Sequence, residues 1–257
     1  MKLIRFAKGR LIGWGVMEGD FVRVLRQGPF GRIAHEGSRI RLSRLRVLVP
    51  AEPRAIVLVG LNYRDHAREL NMPIPAEPII FLKPLSALCC HRQPIIYPEG
   101  VRQMDYEAEL ALVIKKSGRN IPADAAGKYI LGYTCLNDVT ARDLQKKDGQ
   151  WTRSKSFDTF CPIGPWLETE LDPDNARVRS YVNGKLRQNS STADLIFSAH
   201  QLVSFISRVM TLQPGDIVST GTPSGVGPLQ IGDRVEIEVE GIGRLTNSVQ
   251  ARRSHKL

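Results

Sequence analysis

With 257 residues, 42% of them hydrophobic and 24% charged, the chain is long enough for one sizeable core and ordinary for a globular protein, which excludes a disordered or fibrous class. No apolar run approaches the roughly 18 residues of a membrane helix, so no membrane span is expected. The formal net charge of +10 points to anionic partners, but the densest basic stretch, Arg39 to Arg46, has no interleaved aromatic rings to stack on bases, so the expected partners are acidic small molecules and not nucleic acid.

In chain order, Met1 to Lys8 is basic without an apolar core or cleavage site, so no signal peptide is expected. Leu11 to Met17 and Phe21 to Leu25 read as short strands around the turn Glu18-Gly-Asp20. Arg39 and Arg41 alternate with Ile40 and Leu42, a strand-like solvated face. Pro50-Ala-Glu-Pro53 reads as a linker, which divides a small β-rich N-terminal domain, residues 1–52, from a main domain, residues 53–257. Beyond it come a strand at Ala55 to Val59 and a short helix at Tyr63 to Leu70, with Asn62 as a candidate cap and Asn71-Met-Pro73 as its stop. Further strands are expected at 78–82, 106–114, 129–137, 177–182, 216–220 and 234–239. Helices are expected at 139–147 and 198–210. Strands dominate and do not alternate regularly with long helices, so the fold class is α+β, mixed and largely antiparallel. Cys89, Cys90, Cys135 and Cys161 form no C-x-x-C pair and no disulfide framework, the pattern of a reduced, cytoplasmic protein.

Four segments and two lysines carry candidate chemistry. On a strand, Asp105, Glu107 and Glu109 share one face. Carboxylates crowded together need solvent, protons or a cation between them, and the apolar run Leu110 to Ile114 points into a core. An acidic outer face on an edge strand would look the same. Asp138 stands where a strand meets a helix, and Asp138, Arg142 and Gln145 fall at i, i+4 and i+7 of that helix. An N-cap explains Asp138 alone; another carboxylate at a strand mouth fits an oxygen-ligand cage for Mg²⁺, Mn²⁺ or Ca²⁺. Zinc does not fit, because neither Cys nor His occurs at ligand spacing. His66 and Glu69, three apart on a helix, could form an acid/base pair, although an ordinary surface pair has the same spacing. Lys83 and Lys155 could add anion-binding charge. The glycine-rich stretch Gly215 to Gly227 could turn backbone N–H groups and the Thr222 hydroxyl toward an anion; it lacks both the P-loop and the dinucleotide fingerprint.

Taken together, Gly60-Leu-Asn-Tyr-Arg-Asp-His66, Phe81-Leu-Lys-Pro84, Asp105-Tyr-Glu-Ala-Glu-Leu110, Asn137 to Gln145, Lys155-Ser-Phe157, Val182-Asn-Gly184 and Thr220 to Val226 resemble, in order, the fumarylacetoacetate hydrolase family. The resemblance is to its short-chain bacterial branch with a small N-terminal extension, the 2-hydroxyhepta-2,4-diene-1,7-dioate isomerase and acylpyruvase-like members. The resemblance implies the family's mixed β-roll, a homodimer, and a divalent metal (Mg²⁺, or Mn²⁺ or Ca²⁺) held by Glu107, Glu109 and Asp138. It further implies His66 and Glu69 as an acid/base dyad on a lid-like segment, and Arg142, Gln145 and Lys155 orienting substrate and stabilising negative charge. Thr222 would bind a substrate carboxylate, with Lys83 near the pocket. Asn62 stands near where longer members carry an aspartate ligand, which argues against fumarylacetoacetate itself as substrate.

The expected substrate is therefore a small 2-oxo or enol carboxylic acid, preferably a dicarboxylic one. The expected reaction is C–C hydrolysis or isomerisation through an enolate. Decarboxylation of oxaloacetate-like acids, lyase activity on ureido acids, and non-enzymatic binding of anions or nucleic acid are the alternatives.

Overall fold

Leu3, Ile4, Phe6 and Ala7 place apolar side chains on both faces of the first segment, and all four are buried; residues read from sequence only as a basic terminus thus form a strand. In the computed structural model, which describes residues 1–252, that strand, β1 (Lys2–Lys8), is followed by β2 (Leu11–Glu18), β3 (Phe21–Leu25) and β4 (His35–Arg41) in an antiparallel meander, and β5 (Arg46–Val47) pairs back onto β1. The basic face expected at Arg39 and Arg41 belongs to β4, where both guanidinium groups lie over the Phe21 ring, at 5.0 and 5.5 Å.

The remaining elements are β6 (Ile56–Gly60), α1 (Arg64–Glu69), β7 (Ile79–Lys83), β8 (Leu88–Cys89), β9 (Ile95–Tyr97), β10 (Met104–Tyr106), β11 (Ala108–Ile114), β12 (Ile130–Asn137) and β13 (Thr140–Ala141). Next come α2 (Arg142–Asp148), α3 (Thr152–Lys155), β14 (Cys161–Glu168), β15 (Arg177–Val182), β16 (Lys185–Ser191), α4 (Ala199–Val209), β17 (Ile217–Ser219), β18 (Gly227–Leu229), β19 (Arg234–Val239) and β20 (Gly243–Ala251). Among the described residues only α4 carries a full capping box, Ser198 with Gln201.

The sheet-dominated α+β class expected from sequence is the one observed. A large sheet runs β4-β3-β2-β1-β14-β12-β11-β17-β6-β7, so the N-terminal meander is continuous with the rest through the β1–β14 pairing. A second sheet runs β16-β15-β19-β20-β9, and a small one runs β13-β10-β18. The β6–β17, β8–β14 and β9–β20 pairs are parallel and the other pairings antiparallel. One core fills the space between the first two sheets, with Leu110 and Leu112 of β11 against Val178 of β15 and Ile237 of β19. Every residue of β11 is buried, as a central strand flanked on both edges and covered on both faces requires.

Candidate metal centre and its cleft

The site forms where the chain passes from one sheet into another. β10 lies in the small sheet and β11 in the large one, and Glu107 is the single residue between them. The expected uninterrupted strand from 106 to 114 is therefore broken at Glu107. The register Ala108↔Asn137 brings Asp138 alongside: its N–H donates to Glu107 O at 2.9 Å, and the Asn137 Oδ1 accepts from Glu107 N at 2.9 Å. The helix expected at 139–147 begins only at Arg142, so Asp138 lies outside it, in a tight turn after β12 where Val139 N donates to Asn137 O at 3.0 Å, and the three-residue helical stripe does not form. Arg142 and Gln145 do share a turn, with Nη1 donating to Gln145 Oε1 at 2.6 Å.

Glu107, Glu109 and Asp138 are all buried, and each offers a carboxylate oxygen within 4.8 Å of the others. Such a cluster is stable only if its charge is compensated. Lys155, buried on α3, donates to Glu107 Oε2 at 2.9 Å and to Asp138 Oδ2 at 2.5 Å. Arg142 Nη2 reaches Glu107 Oε1 at 2.5 Å, while its Nε binds Asp105 at 2.8 Å. Asp105 thus serves as the counter-ion of Arg142 and stands apart from the triad. Burial raises the Glu107 carboxyl, but Lys155 and Arg142 more than offset it and hold the group well below the usual carboxylate range. Glu109 behaves oppositely. Burial and then the Asp138 charge push it well above that range, against the hydrogen bond from Ser219. Its bonds, from Ser219 Oγ and Gly221 N, both arrive at Oε2. Burial tends to deprotonate Lys155, yet Asp138 and Glu107 raise its pKa, so it remains a cation.

Lys83, at the end of β7, is also buried. It donates to Val139 O at 2.9 Å and Phe160 O at 2.5 Å and stands 2.7 Å from Asp138 Oδ1. That contact is an ion pair without hydrogen-bond alignment, and Asp138 Oδ1 has no donor aimed at it. A cluster of three buried carboxylates with one oxygen left without a donor and one carboxyl driven toward protonation fits a hard divalent cation bound through oxygen.

A cleft of about 290 Å³ opens onto the triad and is also lined by His66, Arg142, Gln145, Lys155 and Thr222. His66 Nδ1 lies 2.9 Å from Glu69 Oε2, and Glu69 Oε1 accepts from Gly225 N at 3.0 Å, so the pair is braced by the glycine-rich loop. The Thr222 hydroxyl donates to Ala108 O at 3.0 Å and accepts from Gln188 at 2.8 Å, which commits its proton to the backbone. Asn62 caps no helix; its amide ties Thr220 O and the Phe197 backbone together.

Several contributors carry no local signal in sequence. Gln188 of β16 accepts from Ala108 N at 3.0 Å and donates to Thr222 and Pro223 O, joining the strand between the two glutamates to the glycine-rich loop. Trp151 stacks edge-on against Phe81 with centroids 5.2 Å apart, and a Cβ on Gly60 would meet its ring at 2.5 Å. The absent side chain at Gly60 is what makes room for the indole.

A family model described as fumarylacetoacetate (FAA) hydrolase C-terminal matches residues 55–250, and one described as Rv2993c-like, N-terminal matches residues 1–50. The crystal structure of a 5-carboxymethyl-2-hydroxymuconate delta-isomerase from Mycobacterium smegmatis superposes with a TM-score of 0.93 at 43% identity, covering 98% of this chain and 100% of that one. The mitochondrial oxaloacetate tautomerase fahd2 of Xenopus laevis is 44% identical over 220 residues, 80% of this chain and 70% of the relative. A maleylpyruvate hydrolase from Sphingobium sp. SYK-6, solved with manganese (II) ion and pyruvate, superposes with a TM-score of 0.81 at 31% identity, covering 98% of this chain and 100% of that one.

Proposed function

The chain belongs to the fumarylacetoacetate hydrolase family, and from that premise we propose that it is a divalent-metal-dependent enzyme that isomerises small 2-oxo or enol carboxylic acids. The observation that carries this reading is the buried triad Glu107, Glu109 and Asp138, opening into the same cleft as the His66–Glu69 pair. Mg²⁺ or Mn²⁺ held by the triad would supply a Lewis acid for the keto oxygen of a bound 2-oxo acid.

The chain's own groups define the rest. Four acids (Asp105, Glu107, Glu109, Asp138) face three cations (Lys83, Arg142, Lys155), a formal sum of −1. Two added positive charges turn that to +1, which suits an anionic substrate. Arg142 and the uncommitted Nε2 of Gln145 are the donors for its carboxylate. Lys155, kept protonated by its two carboxylates, stabilises negative charge and does not act as a base. With Glu69 accepting from Nδ1, His66 keeps Nε2 as the proton acceptor. Directed at the carbon next to the keto group, that nitrogen moves a proton between carbon and oxygen and gives a tautomerase or isomerase.

C–C hydrolysis is the second reading, favoured by the likeness to maleylpyruvate hydrolase; it needs only that His66 take its proton from water. The test is turnover of metal-stripped protein with and without Mg²⁺ or Mn²⁺ on oxaloacetate, an acylpyruvate and a 2-hydroxy-diene-dioate, followed by the ultraviolet enol band and product analysis. Metal-dependent loss of the band is expected, and the products separate the two readings. Equal rates with and without metal would refute the role of the triad.

A further inference from the structure

The cleft has two chemically different ends, and the proposed reaction uses only one of them. β7 leads out of the charged end. Side chains alternate along a strand, so Ile79, Phe81 and Lys83 share a face, and their surroundings change stepwise. Lys83 sits on Asp138. The Phe81 ring lies 5.2 Å from the Lys155 ammonium, and Ile79 lines the mouth of the cleft, 42% exposed. Trp151 stands against Phe81, seated on the bare backbone of Gly60. Leu70 and Met72, which follow α1, line the same cleft and are 48% and 50% exposed. Arg142, Gln145 and Lys146 belong instead to α2, and Arg142 is tied to Asp105 and Glu107 at the triad.

Resting on the reading of the site as one for 2-oxo acids, we infer that Phe81, Trp151, Ile79, Leu70 and Met72 form a subsite for an uncharged, apolar substrate tail. The enzyme then selects 2-oxo acids with alkyl or aryl tails over acids of equal length that end in a second carboxylate. A terminal carboxylate on this track would lose part of its water against four side chains that offer no donor, with the Trp151 indole N–H the one exception, whereas a methylene chain would cover side chains that are now half exposed to water. From Phe81 to Ile79 the strand advances about 7 Å, room for a tail of about five carbons.

The experiment compares wild type, Trp151→Ala and Met72→Ser, loaded with Mn²⁺, on acylpyruvates with acyl chains of two, four and six carbons and on the same chains ending in a carboxylate. In parallel, calorimetry measures direct binding of 2-oxohexanoate and 2-oxoadipate, which differ only in the terminal group. In the wild type, kcat/KM should rise about threefold to fourfold per methylene, mostly through KM, and 2-oxohexanoate should bind at least tenfold tighter than 2-oxoadipate. Trp151→Ala should flatten the dependence on chain length while changing the two-carbon substrate least. Met72→Ser, at a half-exposed position that folding tolerates, should flatten it in part. Equal or tighter binding of 2-oxoadipate, or an unchanged slope in both variants, would overturn the inference. Absence of turnover on every acid would overturn the proposed reaction, and the two binding constants would then decide the subsite separately.

Discussion

The triad and the His66–Glu69 pair line one cleft but are held by opposite means. Two of the triad's carboxylates are compensated from more than one side, Glu107 by Lys155 and Arg142 and Asp138 by Lys155 and Lys83, with Arg142 held by Asp105 as well, while Glu109 is held by Ser219 and Gly221. Buried strands bring the carboxylates together, and Arg142 and Lys155 reach them from the first residue of α2 and the last of α3. The acid/base pair sits on a helix of six residues with no side-chain cap, its glutamate 39% exposed and braced by one backbone N–H. Compensation on several sides fixes geometry and makes any loss expensive. A rim pair with few partners costs little to move or remove. The contrast teaches that activity and stability are coupled at the triad and separable at the rim.

The sharpest break of that contrast is Glu107→Ala. It strips Lys155 and Arg142 of a partner inside the protein, which should cost about 3–5 kcal/mol of stability and abolish metal-dependent turnover. Urea unfolding and isothermal metal titration read the two effects. Retained stability would mean that the cluster is not the compensated unit described above. Next comes His66→Ala. Turnover should fall about 10²- to 10⁴-fold, while metal affinity stays the same and the unfolding midpoint corresponds to a change within about 0.5 kcal/mol. Metal affinity lost together with turnover would tie the rim to the cage.

How much of this was legible depends on how local the cause is. Asp105, Glu107 and Glu109 could be picked out because a strand repeats every two residues, and Asp138 because it ends an apolar run. The change of sheet at Glu107 could not be read, since it is set by the pairing of β11 with β12 and of β10 with β13 and β18. The same pairing keeps Thr140 and Ala141 extended, where sequence spacing points to a helix. β1 was missed because its lysines and arginine hide a segment buried on both faces, and Gln188 because its partner is Ala108, 80 positions away.

Gln188 therefore offers the third prediction, between the two extremes. Gln188→Ala leaves Ala108 N–H buried without an acceptor, which should cost about 1–3 kcal/mol. Because Ala108 lies between two of the triad's carboxylates, metal affinity should weaken without loss of any ligand. Metal titration alongside urea unfolding checks both, and a stability loss with unchanged metal affinity would make Gln188 a link between sheets only.

The smallest effect concerns acid sensitivity, which would otherwise be assigned wholly to the triad. Glu107, depressed in the folded state, contributes stability above its unfolded pKa that is lost as pH falls. His91 gives a loss of the same sign from a different place. Its Nδ1 accepts from Thr246 N at 3.1 Å; burial, then Arg92 and Arg234, lower its pKa to about 4. Unfolded histidine titrates near about 6.5. Between those values the unfolded chain binds a proton that the folded chain does not, so stability rises with pH across that window and is complete above about 6.5. Allowing for solvent screening of a partly exposed ring, the contribution is about 1–2 kcal/mol. His91→Gln removes the titration while retaining a side-chain acceptor, so its unfolding free energy should fall less than that of the wild type between about pH 7 and pH 5. Parallel loss in both proteins would return the acid sensitivity to the carboxylates, and the two sites can be told apart because most of the His91 window, from about pH 6.5 to about pH 5, lies above the unfolded glutamate pKa of about 4.3, below which the Glu107 contribution falls.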